Sequence, residues 1–172
     1  MSHLLILPPP LPEWEGLHPL VVHLPIGLLM VAPLFVLLGF LPRVGNGFRL
    51  SALLLFVLGT IGAYVAIESG EASAEIISFT PEARETLERH AELAETARLL
   101  FTVLTVFYGA VLALPWFVRK VWRKEMPRVV SNVLLALVIV AGGLCMNVLA
   151  NAGHLGGRLV YVHRVENWVL QR

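Results

Sequence analysis

Long apolar stretches alternate with short polar ones from residue 19 onward. Four are long enough to cross a bilayer, for which a helix needs about 20 mostly apolar residues. They run Pro19 to Leu41, Leu50 to Ile67, Leu99 to Val118 and Val129 to Ala152, and none contains Asp, Glu, Lys or Arg. A backbone in lipid must pair its own N–H and C=O groups, and runs of this kind do so as helices. The pattern predicts an all-α protein: a single transmembrane domain built as a four-helix bundle. Pro19 suits a first helical turn, while Pro25 and Pro33 are expected to bend the first helix.

The polar stretch 68–98 separates the second and third spans. Within it, Thr80-Pro81-Glu82 has the form of a helix start, with Thr80 as cap and acid in the first turn. No breaker follows Pro81, so one long helix is predicted whose first four turns stand outside the hydrocarbon. Past Gly156-Gly157, the tail "RLVYVHRVENWVLQR" reads as a short interfacial segment, with Tyr161 and Trp168 at headgroup level. Pro8-Pro9-Pro10 predicts an extended lead-in. Gly59 with Ala63, and Gly109 with Ala113, are small pairs at helical spacing, suited to close helix packing.

Composition sharpens this picture. Of the 172 residues, 57% are hydrophobic and 15% charged, against about 25% charged in soluble domains. The net charge of +1 gives no reason to expect a nucleic-acid partner. The single cysteine, Cys145, excludes an intramolecular disulfide, a thiolate cluster and a Cys-x-x-Cys-His haem attachment. No Lys or Arg precedes the first apolar run and no small-x-small site follows it, so a cleaved signal peptide is not expected.

The linkers after spans one and three hold Arg43, Arg49, Arg119, Lys120, Arg123, Lys124 and Arg128. The other side holds Arg84, Arg89, Arg98, Arg158, Arg164 and Arg172, spread over longer segments. Basic density near span ends places the first set in the cytoplasm. The expected location is a bacterial-type inner membrane, multi-pass, with both termini outside.

This orientation gathers the histidines. His18 and His23 open span one, His90 precedes span three, His154 follows span four, and His163 lies in the tail. Five of the six therefore fall at the outer face; His3, in the lead-in, is set aside. One imidazole at a span end is ordinarily an interfacial side chain, but five arriving from distant sequence suggest a metal site. Imidazole titrates near pH 6.5 and is the commonest metal ligand among side chains. Without thiolates, the choices are haem iron, zinc or copper. Haem suits the neighbours best, because a flat macrocycle needs small residues beside its ligands. Gly27 follows His23 by one turn, Ala94 and Ala97 follow His90 by one and two, and Gly153 adjoins His154. Asn147 and Asn151 share the face of His154 and need hydrogen-bond partners in lipid. His18 and His23 are five apart, about 140° around a helix. They take different roles: His18 at the surface, His23 into the bundle. Glu68 and Glu71 read as solvated acids.

"HPLVVHLPIGLL" at 18–29, followed much later by "GGRLVYVH" at 156–163, resembles the four-span membrane proteins grouped as domain of unknown function 2231. The resemblance covers about residues 16–165, and its first motif is the more specific. Family members end the second motif with His-Gly, whereas here His163 is followed by Arg164. The resemblance implies a redox context, since some relatives are joined to Rieske or cytochrome c modules, and it marks His18, His23, His163 and His90.

The expected function is therefore a haem b protein, with one or two haems held non-covalently by His18, His23, His90, His154 and His163. It would carry electrons near the outer face to a cytochrome c, a Rieske-type protein or a quinone. No nucleophile, acid pair or phosphate loop points to hydrolysis or group transfer. The rival expectations are a zinc or copper binding or transport protein, and a structural subunit of a respiratory complex.

Overall fold

Each apolar run becomes a helix, and three of the four outgrow the run that predicted them. The computed structural model describes residues 11–165; His3, Pro8-Pro9-Pro10 and Trp168 lie outside the described residues. A short 3-10 turn, Trp14–Gly16, leads into α1 (His18–Val21) and α2 (His23–Leu38). Then follow α3 (Gly45–Ile76), α4 (Pro81–Trp122) and α5 (Arg128–Tyr161). Counting α1 and α2 as one crossing, four helices are long and apolar enough to span a membrane. Among the described residues there is no strand.

Pro19 sits in the first turn of α1, where its missing N–H costs nothing, and Pro33 lies inside α2. α3 continues nine residues past Ile67, its last apolar-run residue, to Ile76. This extension is amphipathic: Ser69 and Ser73 are buried, while Glu68, Glu71 and Glu75 are exposed. α4 begins as predicted, with the Thr80 hydroxyl accepting from the Ala83 N–H at 3.3 Å. It runs unbroken for 42 residues, about 63 Å at 1.5 Å per residue and twice the hydrocarbon thickness. α5 differs from expectation after Gly156-Gly157. The helix passes straight through both glycines to Tyr161, because its inner face still has α4 to pack against.

The bundle is two antiparallel hairpins laid side by side. α2 packs along α3 and α4 along α5; these are the two most extensive pairings, and α3–α4 and α2–α5 contacts join them. α2 and α3 approach closely at Gly59, where a Cβ would lie 2.7 Å from the Leu29 side chain. The core between the hairpins contains Leu29, Val36, Phe56, Phe101, Tyr108, Leu135 and Val138. The Phe56 ring meets Tyr108 edge-on at 5.6 Å. Hydroxyl pairs also tie α3 to α4: Thr60 to Thr105 at 2.9 Å, and Tyr64 to Thr102 at 3.3 Å. Outward-facing Leu54, Ile61, Val103, Val106, Val140 and Leu144 give the bundle the apolar surface that lipid requires.

Candidate functional site

The outward extensions of α3, α4 and α5, with α1 laid against α3, build a second storey on the transmembrane bundle. A cavity of about 70 Å³ lies where the two storeys meet. His18, Ile26 and Leu29 line it from the first crossing, Ala63 and Ala66 from α3, His90, Ala97 and Phe101 from α4, and Ala152 from α5.

Two histidines reach this cavity from separate hairpins. His18 Nδ1 donates to the Ala66 carbonyl at 2.7 Å, crossing from α1 to α3. His90 Nδ1 donates to the Ala152 carbonyl at 2.8 Å, crossing from α4 to α5. A carbonyl can only accept, so Nδ1 carries a proton in both rings, and the neutral form of a ring bound this way has its lone pair on Nε2. This is the tautomer that a carbonyl partner sets in metal-ligating histidines. Each ring lies against a glycine. A Cβ at Gly70 would come 2.9 Å from His18 Cε1 and Nδ1, and one at Gly156 would come 3.1 Å from His90 Cε1.

The remaining histidines are elsewhere. His23 is exposed, its Nδ1 bonded to the carbonyl of Pro19 one turn back at 2.9 Å. The expected division of labour is thus reversed: His18 faces the cavity and His23 faces outward. α3 causes the reversal: near the end of its apolar run it offers His18 the Ala66 carbonyl, and one turn further on the ring lies against Gly70. His154 is exposed on the outer side of α5. His163 is half-buried and fastens the end of α5 to α4: its Nε2 lies 3.0 Å from the Thr86 hydroxyl, which itself donates to the Glu82 carbonyl. Its Nε2–H is therefore the donor to Thr86.

Of the expected small neighbours, Ala94, Ala97 and Gly153 line the cavity. Gly27 does not: it is exposed, with nothing within 4 Å of the position a Cβ would take. Asn147 and Asn151 are also exposed and bond to each other, the Asn151 amide donating to Asn147 O at 2.8 Å and Oδ1 at 3.3 Å. Glu68 and Glu71 are exposed, as expected.

Arg98, expected only as one of the outer basic residues, is also among the residues that line the cavity. It bonds Glu95 and lies with its guanidinium carbon 4.8 Å from the centre of the Tyr64 ring. The sequence signal was available: Arg98 is the last charge before span three, one residue after the small Ala97. Among the described residues, no three His, Cys, Asp or Glu side chains are placed to hold one metal ion. The two cavity imidazoles are thus short of the four ligands of a closed zinc site.

The fold defines a polytopic helical membrane protein with an end-on, histidine-lined cavity. A family model described as "Predicted membrane protein (DUF2231)" matches residues 15–168, and the chain belongs to that family. No curated protein and no solved structure matches it.

Proposed function

We propose that the protein holds one haem b, non-covalently, between its hairpins and passes electrons at the histidine-bearing end, and that His18 and His90 would hold it. The observation that carries this reading is the pair of imidazoles on one cavity, each anchored through Nδ1 and, among the described residues, with no hydrogen bond at Nε2. Haem iron takes imidazole as an axial ligand, and its carbonyl-bound ring is held in orientation by the second shell. Ala63, Ala66, Ala94, Ala97 and Ala152 line the gap with small side chains, and at about 70 Å³ it would have to widen before a macrocycle entered. When bound, the haem would supply one-electron chemistry. The chain's own residues orient the ligand rings, exclude water and keep the surroundings apolar. One haem fits this reading better than two, since His23 and His154 face away. The basic linkers support an inner-membrane location with the cavity end outside, open to a cytochrome c, Rieske-type or quinone partner.

A second reading rests on size. Cofactor pockets commonly enclose about 300–1,000 Å³, and the cavity has about 70 Å³. A single dihydroxy aromatic ring, such as a quinol head group, needs far less room than a macrocycle. Its hydroxyls would donate to the two Nε2 atoms.

A reduced-minus-oxidised spectrum of the purified protein, after supplying haem, separates the readings. The haem reading expects an α-band that His18→Ala and His90→Ala each abolish, while His23→Ala and His154→Ala keep it. No band in the wild type, or a band indifferent to His18 and His90, overturns it. Quinone recovered by solvent extraction from a band-free protein supports the second reading.

A further inference from the structure

We infer that the end of the bundle opposite the histidines carries a binding site for anionic phospholipid headgroups, built on the turn between α4 and α5. Between Val111 and Leu135 no residue is buried, so the tip of this hairpin is uncovered. Its surface is both aromatic and cationic. Trp116, Phe117 and Trp122 are exposed. Arg119, Lys120, Arg123, Lys124 and Arg128 are exposed beside them, and Glu125 is the one acid in the same stretch. Among the described residues the ion pairs lie at the other end, Arg89 with Glu85 and Arg98 with Glu95, so these five cations are matched to no carboxylate.

Two contacts order this surface. The Lys120 ammonium lies 4.6 Å from the centre of the Trp116 ring, and the Phe117 ring meets Trp122 edge-on at 6.1 Å. Indole rings with cations held beside them match the level where acyl chain gives way to phosphate. Arg123 points to phosphate more narrowly. It closes α4 in the left-handed region, at φ 53°, where glycine is the favoured residue and a side chain is strained. Glycine would close the helix with less strain, so closing α4 does not explain the arginine. A guanidinium suits phosphate, which its planar fork of N–H donors binds bidentately. A second copy of the chain docked tip to tip would set cations against cations. An anionic bilayer surface supplies the missing charge, and each basic residue near it contributes roughly a fivefold gain in binding.

The test uses the full-length protein with Trp14 and Trp168 replaced by Phe, so that Trp116 and Trp122 alone report. It is reconstituted in mixed vesicles of phosphatidylglycerol and phosphatidylcholine, in which one lipid or the other is brominated near the top of its acyl chains, at equal brominated fraction. A brominated lipid quenches the tryptophans it touches. Phosphatidylglycerol is expected to quench more strongly, with an association constant relative to phosphatidylcholine of roughly five or more. Arg123→Gly should keep or raise the thermal midpoint in neutral detergent and lower that constant to about half or less. Arg119→Gln with Arg128→Gln, away from the strained residue, should lower it likewise. All three changes together should bring it to about one. Arg158→Gln, which removes a cation from the other end, should leave it unchanged. Equal quenching by the two lipids overturns the site. So does a constant that neither variant lowers, or one that Arg158→Gln lowers as far as Arg123→Gly, since the attraction would then follow net charge alone.

Discussion

Replacing Gly70 by alanine tests the imidazole anchor with a change of one methyl group. In a helix interior, alanine is better than glycine by about 0.8–1.0 kcal/mol. That gain should appear in full at Gly143, where an added Cβ would meet nothing within 4 Å. At Gly70 the same methyl would come 2.9 Å from two atoms of the His18 ring, well inside van der Waals contact. The ring can retreat only by giving up its 2.7 Å bond to the Ala66 carbonyl. Losing that bond costs about 0.5–1.5 kcal/mol, and forcing extra volume into packed surroundings typically costs about 1–3 kcal/mol. The sum outweighs the propensity gain, so Gly70→Ala should destabilise by roughly 1–3 kcal/mol while Gly143→Ala stabilises. Gly156→Ala, with its 3.1 Å approach to His90 Cε1, should fall between them. Reversible unfolding of the three variants in one detergent measures the order. If Gly70→Ala matches Gly143→Ala in sign and size, His18 is not held where the argument places it.

Two further outcomes follow from the helix contacts. Thr80→Ala removes the hydroxyl cap of α4 and should cost about 1 kcal/mol, read as faster amide exchange at Ala83 and Arg84 while the membrane core stays protected. A double-mutant cycle of Thr60→Val and Thr105→Val should return a coupling near 0.6 kcal/mol, the average for interhelical hydrogen bonds in membranes. A coupling of zero would mean the two hydroxyls do not pair.

The spans were legible because lipid imposes one demand, a long uncharged run, on every crossing helix. The start of α4 was legible for a local reason, since a cap and a proline need only their neighbours. The inward face of the histidine pair was not. The 140° between His18 and His23 shows that they diverge, but the residue that turns inward is decided by what stands opposite. What stands opposite is Ala66, near the end of the apolar run, and one turn on Gly70, in an extension of α3 that its three glutamates disguise as a loop. The buried spacing Ala66, Ser69, Ser73, with Gly70 between, is its trace in the sequence. Arg98 escaped for a similar reason. A charge at a span boundary reads as solvated until the Tyr64 ring and the cavity are seen beside it.

Both anchoring bonds lie inside a hairpin, His18 to α3 and His90 to α5, while the void lies on the seam between hairpins. Neither ring's anchor therefore depends on the distance between the two halves. Widening the gap for a bulkier guest would cost cross-seam contacts, the Phe56–Phe101 packing and the Thr60–Thr105 and Tyr64–Thr102 hydroxyl pairs, while both Nδ1 anchors stayed in place.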